Sequence, residues 1–291
     1  MTMAQADEFE EHRHHLFGVA YRMLGSVSEA EDVVQDTWLR WRATSPDEVR
    51  SPRGFLTTVA TRLAIDRLRS AQRRREEYVG PWLPEPLVTD DDPAATAELA
   101  DSLSMAFLLV LERLNPVERA VLLLHDVFGY DYDEVADIVE RTPANCRQIA
   151  SRARAHLSGE RPVRPRTAVE DEQRLAFAFA AAAGSGDLAT LEGMLAEDVV
   201  LWSDGGAARR AARRPVVGRD RVARFIVNVA HRVPVDAAFE YVHLNGEPAV
   251  IVRNADGPYM TWSVELFDGA VRAIHAVNNP DKLRHLAAPR N

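Results

Sequence analysis

Arginines at helical spacing are the first feature of this sequence that could do chemistry. Arg62, Asp66, Arg69 and Arg73 are separated by 4, 3 and 4 residues, so a helix through them sets all four on one face. Arg67, Arg74 and Arg75 add charge beside it. The guanidinium fork makes planar, bidentate contacts with phosphate oxygens and with guanine edges. Alone, such a run is also what a solvated helix end looks like, with arginine at the negative pole of the dipole. A second stretch shifts that balance. "DYDEVADIVERTPANCRQIASRARAHL" (131–157) has the layout of a helix-turn-helix. Cys146, Ile149, Ala150, Ala153 and Leu157 fall on one apolar stripe of its second helix. Asn145, Arg147, Gln148, Ser151, Arg152 and Arg154 are left outside, and the connection adds Arg141 and Thr142. From Arg141 to Arg154 there are four arginines and no acid. Polar readers on a free face and small residues on a packed face are what a helix in a DNA groove needs. The plain alternative is a helix pair that merely packs in a bundle.

These residues need helices to hold them. The pattern predicts a helix over 8–24 with Gly25 at its C′ position. Ser28 and Glu31 predict a capping box, and the helix it opens runs to about Arg42. That helix carries Val34, Trp38 and Trp41 on one side and Asp32, Gln35, Asp36 and Leu39 on another. Ser51 caps the arginine helix, with Pro52 at its first position and Leu56, Val59, Ala60 and Leu63 facing inward. Asp92 and Pro93 open a helix to about Leu114, and Asn115, Pro116 and Glu118 start the next. A short helix covers about 131–140, and Thr142 and Pro143 cap the last one, to Leu157. After a Pro/Arg-rich stretch at 159–166 the rhythm changes. Helices over 169–183, 187–196 and about 218–232 alternate with a strand in "DVVLWSDGG". Four strands follow, at about 236–244, 248–253, 258–267 and 270–277. Asp268-Gly269 joins the last two in a hairpin. This half is α+β, a curved sheet on helices.

The chain has 291 residues and a net charge of −9, but the charge is not spread evenly. Residues 76–101 hold eight acids and no base, whereas 1–75 hold 12 arginines against 11 acids. Local patches therefore matter more than the overall balance. The acidic stretch contains "GPWLPEP", whose three prolines favour extended backbone. A stretch that repels polyanions, set between two basic helical faces, reads as a tether between two contacts on one nucleic acid. Cys146 is the single cysteine, which excludes an internal disulfide and a Cys-based zinc site. "MTMAQADEFEEHRHH" is acidic and does not read as a signal peptide. "AFAFAAAAG" is too short to span a bilayer. The expectation is a cytoplasmic protein with no membrane contact, no cofactor and no metal. His12, His14 and His15 share one helix without a visible facing ligand set.

"AEDVVQDTWLRW" followed by "FLTTVATRLAIDRLRSAQRRR" resembles region 2 of an extracytoplasmic-function (ECF) sigma factor of bacterial RNA polymerase. "LNPVERAVLLLHDVFGYDYDEVADIVERTPANCRQIASRARAHL" resembles region 4 of the same family. The order and spacing match over about the first 157 residues. The resemblance implies no catalysis by these parts. It implies that Asp32, Gln35, Asp36 and Leu39 dock on the clamp of core RNA polymerase. It implies that Thr61, Arg62, Asp66, Arg69 and Arg73 meet the −10 promoter element as single strand. It implies that Arg141, Thr142, Asn145, Arg147, Gln148, Ser151, Arg152 and Arg154 read the −35 duplex.

The last third resembles a SnoaL-like α+β cone, an extension carried by one subgroup of these sigma factors. Three patterns support this: Trp82-Leu83-Pro84-Glu85-Pro86 in the linker, Asn279-Pro280-Asp281-Lys282-Leu283 near the end, and Asp204-Gly205-Gly206. Ala207 and Ala208 depart from the subgroup's Gly and Lys after those glycines, and Arg209 or Arg210 stands near enough to supply the charge. The resemblance implies a regulatory interdomain role for these residues. The expected fold is multidomain: two all-α helical domains, sigma region 2 and the region 4 helix-turn-helix, followed by the cone. The expected boundaries are 1–75, a linker at 76–101, 102–160 and 161–291. The cone leaves room for a small-molecule ligand, and Asp204, His231 and His275 are candidates to meet inside it as acid/base residues. Two rival readings remain: a SnoaL-like isomerase or cyclase fused to a helical DNA-binding module, and a ligand-sensing helix-turn-helix repressor.

Overall fold

The computed structural model describes residues 3–45, 49–89, 102–157 and 169–287. These form two compact units. Residues 3–45, 49–77 and 102–157 make an all-α unit, and residues 78–89 with 169–287 make an α+β unit. The linker's remaining stretch, 90–101, the expected helix start at Asp92 and Pro93, and the Pro/Arg-rich stretch 159–166 lie outside the described residues.

In the all-α unit, α1 (Met3–Leu24) ends at Gly25, whose φ of 63° lets its N–H reach Tyr21 O at 2.7 Å. Helix α2 (Val27–Ala43) follows after two residues, Gly25 and Ser26. Its cap is Ser26, which accepts from the Glu29 amide, and not Ser28 with Glu31. The chain re-enters helix directly after the C′ glycine, so the first hydroxyl takes the cap and Ser28 falls in the first turn. Helix α3 (Pro52–Glu76) is capped by Ser51 as expected from its sequence. The three helices bury Leu16, Trp41, Leu56 and Leu68 completely. Trp41 Nε1 donates to Gln5 O at 2.9 Å while Gln5 Nε2 returns a bond to Trp41 O at 2.8 Å, which satisfies both buried polar groups.

Helices α4 (Met105–Leu111), α5 (Pro116–Leu122), α6 (Tyr132–Val139) and α7 (Pro143–Leu157) complete this unit. Asn115 with Glu118, and Asp131 with Glu134, form capping boxes on α5 and α6. One π turn, Leu123–Val127, follows α5. Arg119 is almost fully buried. It donates to Met23 O (2.8 Å) and Leu111 O (2.5 Å) and pairs with Glu112, so it closes the end of α1 onto α4 and α5. The two helical segments are thus one packed body, with α3 against α5 and α6.

His15 on α1 is part of that packing. It hydrogen-bonds Tyr130 Oη at 3.0 Å and meets the Phe128 ring edge-on. Burial, then the charge of Arg53, with smaller contributions from His12, Arg22 and His14, lowers its pKa from 6.5 to about 4.

The α+β unit opens with α8 (Val169–Ser185) and α9 (Leu188–Met194). Strand β1 (Leu195–Asp204), a two-residue β2 (Val216–Val217) and α10 (Arg219–Ala230) follow. Strands β3 (Ala238–Leu244), β4 (Glu247–Asn254), β5 (Gly257–Phe267) and β6 (Ala270–Val277) finish the sheet. The order is β2-β1-β6-β5-β4-β3. Only the β1–β6 pair is parallel. Asp268 (φ 51°) and Gly269 (φ 73°) turn the last hairpin in the left-handed region, as Asn245 and Gly246 do between β3 and β4. One face packs Leu201, Val264 and Ile274 against Phe179, Leu191, Val222 and Ile226 of the helices. Strand alternation sends Asp204, Thr261, Ser263, His275 and Glu247 to the other face, where all are buried.

The fold partly buries neutral His15 beside Arg53, so folded protein resists its protonation. The stability this contributes is complete above pH 6.5 and is lost as pH falls toward 4, because the unfolded chain takes up the proton first. Thermal melts of wild type and His15→Phe, followed by far-UV circular dichroism, should diverge in slope across that window, the wild type falling more steeply. Parallel curves would show that His15 carries no such linkage.

Candidate nucleic-acid interface and linker clamp

The helix-turn-helix is α6 and α7. Its turn depends on Glu140, whose φ of 55° lets the Arg141 amide reach back to Ala136 O at 3.0 Å. Thr142 Oγ1 accepts from the Asn145 amide at 3.2 Å and caps α7. Cys146, Ile149, Ala150, Ala153 and Leu157 are buried, and burial pushes the Cys146 thiol pKa up. Arg141, Thr142, Arg147, Gln148, Ser151 and Arg152 are exposed, and Asn145 is half-buried. The Arg147 guanidinium lies over the Tyr132 ring, 5.4 Å from its centroid. Arg154 is exposed but engaged: it holds Asp126 with two bonds, of 2.9 and 2.6 Å, and reaches Tyr132 Oη. The hydrogen bonds to Asp126 and Tyr132 raise its pKa. It braces α7 against the π turn and the start of α6 and differs in this from the other expected readers.

On α3, the structure separates the expected −10 residues. Arg69 and Arg73 are exposed, and Asp66 pairs with Arg69 at 2.9 Å, not with Arg62. Thr61 is fully buried, which corrects its expected place on this face. One residue is a 100° step on a helix, and that step turns Thr61 to the side of Thr57, Ala64 and Leu68. Arg62 crosses to the helix-turn-helix. It donates to Asp137 O (2.9 Å) and Ile138 O (3.0 Å) at the C-terminus of α6 and pairs with Glu140 at 3.0 Å. It satisfies carbonyls that the helix end leaves open.

Arg67, Arg74 and Arg75 are not spare charge. Arg67 bridges Asp32 (3.1 Å) and Asp36 (2.6 Å). Burial alone would lower the Arg67 pKa, but hydrogen bonds to those two carboxylates raise it. Arg74 holds Glu29 at 2.6 Å, and Arg75 joins Glu112 and Leu24 O. On α2, Asp32, Gln35 and Leu39 are exposed and Asp36 is half-buried, so the four form one patch with an exposed leucine at its edge.

The second site lies within the α+β unit. Here residues 78–89 are a strap and not a free tether. Asp204, wholly buried at the end of β1, accepts from the Leu83 amide (2.9 Å), Tyr78 Oη (2.5 Å), the Gly206 amide (3.0 Å) and Lys282 Nζ (2.6 Å). Lys282 also donates to Leu83 O and sits over the rings of Trp82 (4.1 Å) and Tyr78 (4.9 Å). Burial and the Asp204 carboxylate push the Tyr78 pKa up. Asn279 Nδ2 donates to Tyr78 Oη at 2.6 Å, and His285 Nε2 meets Pro86 O at 2.7 Å. Farther along, Asn245 accepts from the Leu87 amide, Val88 bridges to Leu244 and the Thr89 amide bonds His243 O. The strap thereby covers part of the β3 edge, whose backbone would otherwise be unpaired. Trp82, Leu83, Pro84, Glu85 and Pro86 are thus gathered with Asp204, Gly205, Gly206, Asn279, Pro280, Asp281, Lys282 and Leu283. Sequence reading missed Tyr78, Asn245 and His285; an aromatic and two polar residues flanking turns carry no pattern of their own.

Asp204, His231 and His275 do not assemble into a catalytic group. Asp204 is spent on the strap, and His231 is exposed after α10. His275 stacks on Trp202 with its Nδ1 3.8 Å from Glu247. A separate cavity of about 270 Å³ lies between sheet and helices, with Phe179, Trp262, Val250 and Val252 in its apolar wall.

The Sigma-70 region 2 family matches residues 9–74, and the Sigma-70, region 4 family matches 104–157. The ECF RNA polymerase sigma factor SigJ of Mycobacterium tuberculosis is 39% identical over 96% of this chain and 93% of its own. The chain is an ECF RNA polymerase sigma factor. SigG of the same organism, also an ECF RNA polymerase sigma factor, is 29% identical over 92% of this chain and 79% of its own. The crystal structure of SigJ superposes with a TM-score of 0.75 and 35% identity, covering 96% of this chain and 98% of that one. The likeness therefore extends through the SnoaL-like cone. Region 2 of the sigma factor is α1–α3 and region 4 is α4–α7. Through these regions a sigma factor joins core RNA polymerase to promoter DNA and directs initiation at specific promoters. No described helix is long and apolar enough to cross a membrane.

Lys282→Met would leave the Asp204 carboxylate buried without its cation. Breaking a buried pair from one side costs about 3–5 kcal/mol, and urea unfolding followed by tryptophan fluorescence should register a loss of that order. Pairing it with Asp204→Asn should recover part of the loss. A cost under about 1 kcal/mol for the single change would mean the ion pair does not hold the strap.

Proposed function

We propose that the sigma factor docks on the polymerase clamp through Asp32, Gln35, Asp36 and Leu39. Arg62, Asp66, Arg69 and Arg73 meet the −10 element, and Arg141, Thr142, Asn145, Arg147, Gln148, Ser151 and Arg152 meet the −35 duplex. Exposure and helical register support these roles, while Arg154 serves as a brace. The free protein is closed: Arg62, a −10 contact, is occupied by the end of α6 in region 4. Promoter binding requires that contact to be exchanged for DNA phosphate. The cone acts in cis and turns over no substrate: Asp204 is engaged by the strap and does not assemble with His231 and His275. Its apolar cavity suits only an uncharged ligand. The protein works in the cytoplasm, where the polymerase is.

The observation that carries this reading is the Asp204 clamp. Holding residues 78–89 removes slack from the tether between α3 and α4. A shorter, stiffer tether raises the effective concentration of region 4 at region 2, so the clamp favours the closed state.

Reconstituted transcription with core polymerase, on a promoter selected from a random library, tests this. Lys282→Met and Asp204→Asn should each raise transcript yield several-fold at limiting sigma factor. Unchanged or lower yield in both would refute clamp-based restraint. Asp36→Arg should weaken core binding about tenfold or more, as expected when a charged contact is reversed, and native-like core affinity would remove α2 from the docking surface. Arg147→Ala should cost about 1–3 kcal/mol of promoter affinity and relax preference in the −35 element only. A uniform loss across sequences would reassign it to phosphate.

A further inference from the structure

The loop after Asp204 carries charge that none of the roles above uses. Residues 205–219 contain five arginines and no acid. The loop is anchored from its backbone. The Arg209 amide bonds Gly205 O (3.0 Å), the Ala212 amide bonds Ser203 Oγ (2.8 Å), and Arg210 O accepts from Asn278 Nδ2 (3.2 Å). Gly205 and Gly206 permit the tight turn: a Cβ on the first would stand 2.3 Å from Arg209 O, and one on the second 2.6 Å from Asn279 Nδ2. Arg209 lies over the Tyr259 ring at 4.4 Å. Anchored in this way, the loop holds out Arg210 and Arg213, both exposed, and neither side chain has a hydrogen bond or ion pair among the described residues.

The loop is one wall of a cleft of about 560 Å³ within the α+β unit. Arg232, also exposed, stands at the end of α10, and Asn228 adds an amide. Phe225 and Val229 supply apolar surface, and Val79 and Gly80, at the start of the strap, close another side. The lining carries Arg209, Arg210, Arg213 and Arg232 and no acid, so nothing in the cleft wall offsets their charge. A single carboxylate would leave most of that charge uncompensated, whereas a phosphoryl group with two or more charges, held by forked arginines, offsets it.

We propose that this cleft binds a phosphorylated small molecule, its phosphates on Arg210, Arg213 and Arg232 and its apolar part on Phe225 and Val229. Because Val79 and Gly80 share the cleft, the occupant touches the strap. The inference goes beyond the sigma-factor reading and stands independently of it.

The full-length chain, with ADP as probe in the absence of metal, tests the proposal by calorimetry and thermal melting. ADP should raise the melting temperature in a concentration-dependent manner, and adenosine should not. Arg210→Ala with Arg213→Ala, and separately Arg232→Ala, should each weaken binding about tenfold or more. Arg224→Ala, whose guanidinium pairs with Asp220 on the exposed side of α10, should leave it unchanged. No shift at millimolar ADP, or an undiminished shift in the double variant, overturns the proposal. A short non-promoter duplex supplies the other source of phosphate. If the duplex binds through these arginines and ADP does not displace it, the cleft is a nucleic-acid contact and the small-molecule assignment falls.

Discussion

The ion pair between Asp204 and Lys282 is the interaction on which the α+β unit's hold on the linker depends. Its carboxylate is fully buried and its ammonium nearly so. Two charges withdrawn from water are tolerated only when every remaining lone pair and proton is satisfied. Here the satisfying groups come from the strap itself: the Leu83 amide and carbonyl, the Tyr78 hydroxyl, and the faces of Tyr78 and Trp82. Removing the strap would strand the charges, and removing either charge would strand the strap. The linker and the terminal Asn279–Leu283 turn are therefore one polar core in two segments.

The all-α unit obeys a related constraint. A helix end leaves carbonyls open, and at the end of α6 they are met by Arg62 from α3. The cationic group suited to DNA phosphate is thereby matched, in the free protein, by backbone dipoles and Glu140. These contacts are exposed or half-exposed, so they are weak one by one and reversible. Arg119, by contrast, is buried and Arg75 is largely shielded, and both serve the fold. Burial sorts arginines of one chemical type into braces and contacts.

Much of this was legible in the sequence because it rests on short-range rules. Period 3.6 marked α2, α3 and α7; Asn115 with Glu118 and Asp131 marked helix starts; Asp268-Gly269 marked the last hairpin. The failures are also physical. Ser26 took the cap expected of Ser28 because only one residue separates α2 from the glycine that ends α1. Thr61 turned inward because its helix is packed on more than one side, which a single inward stripe does not represent. The two-residue strand β2 is too short to carry a periodic signal.

By itself the sequence determined the two helical regions, the outward face of the second helix of the helix-turn-helix, and the α+β character of the last third, because these follow from patterns within a few residues of one another. The segments in the linker and near the end were marked only by their resemblance to one subgroup of the family. Only the tertiary structure decided that Arg67 belongs to Asp32 and Asp36, that Arg62 belongs to α6, and that Asp204 holds Leu83 across 121 residues of chain. Charge and hydrogen-bonding capacity are written in residue types, but the partner that satisfies them is chosen by proximity in space, which folding alone supplies.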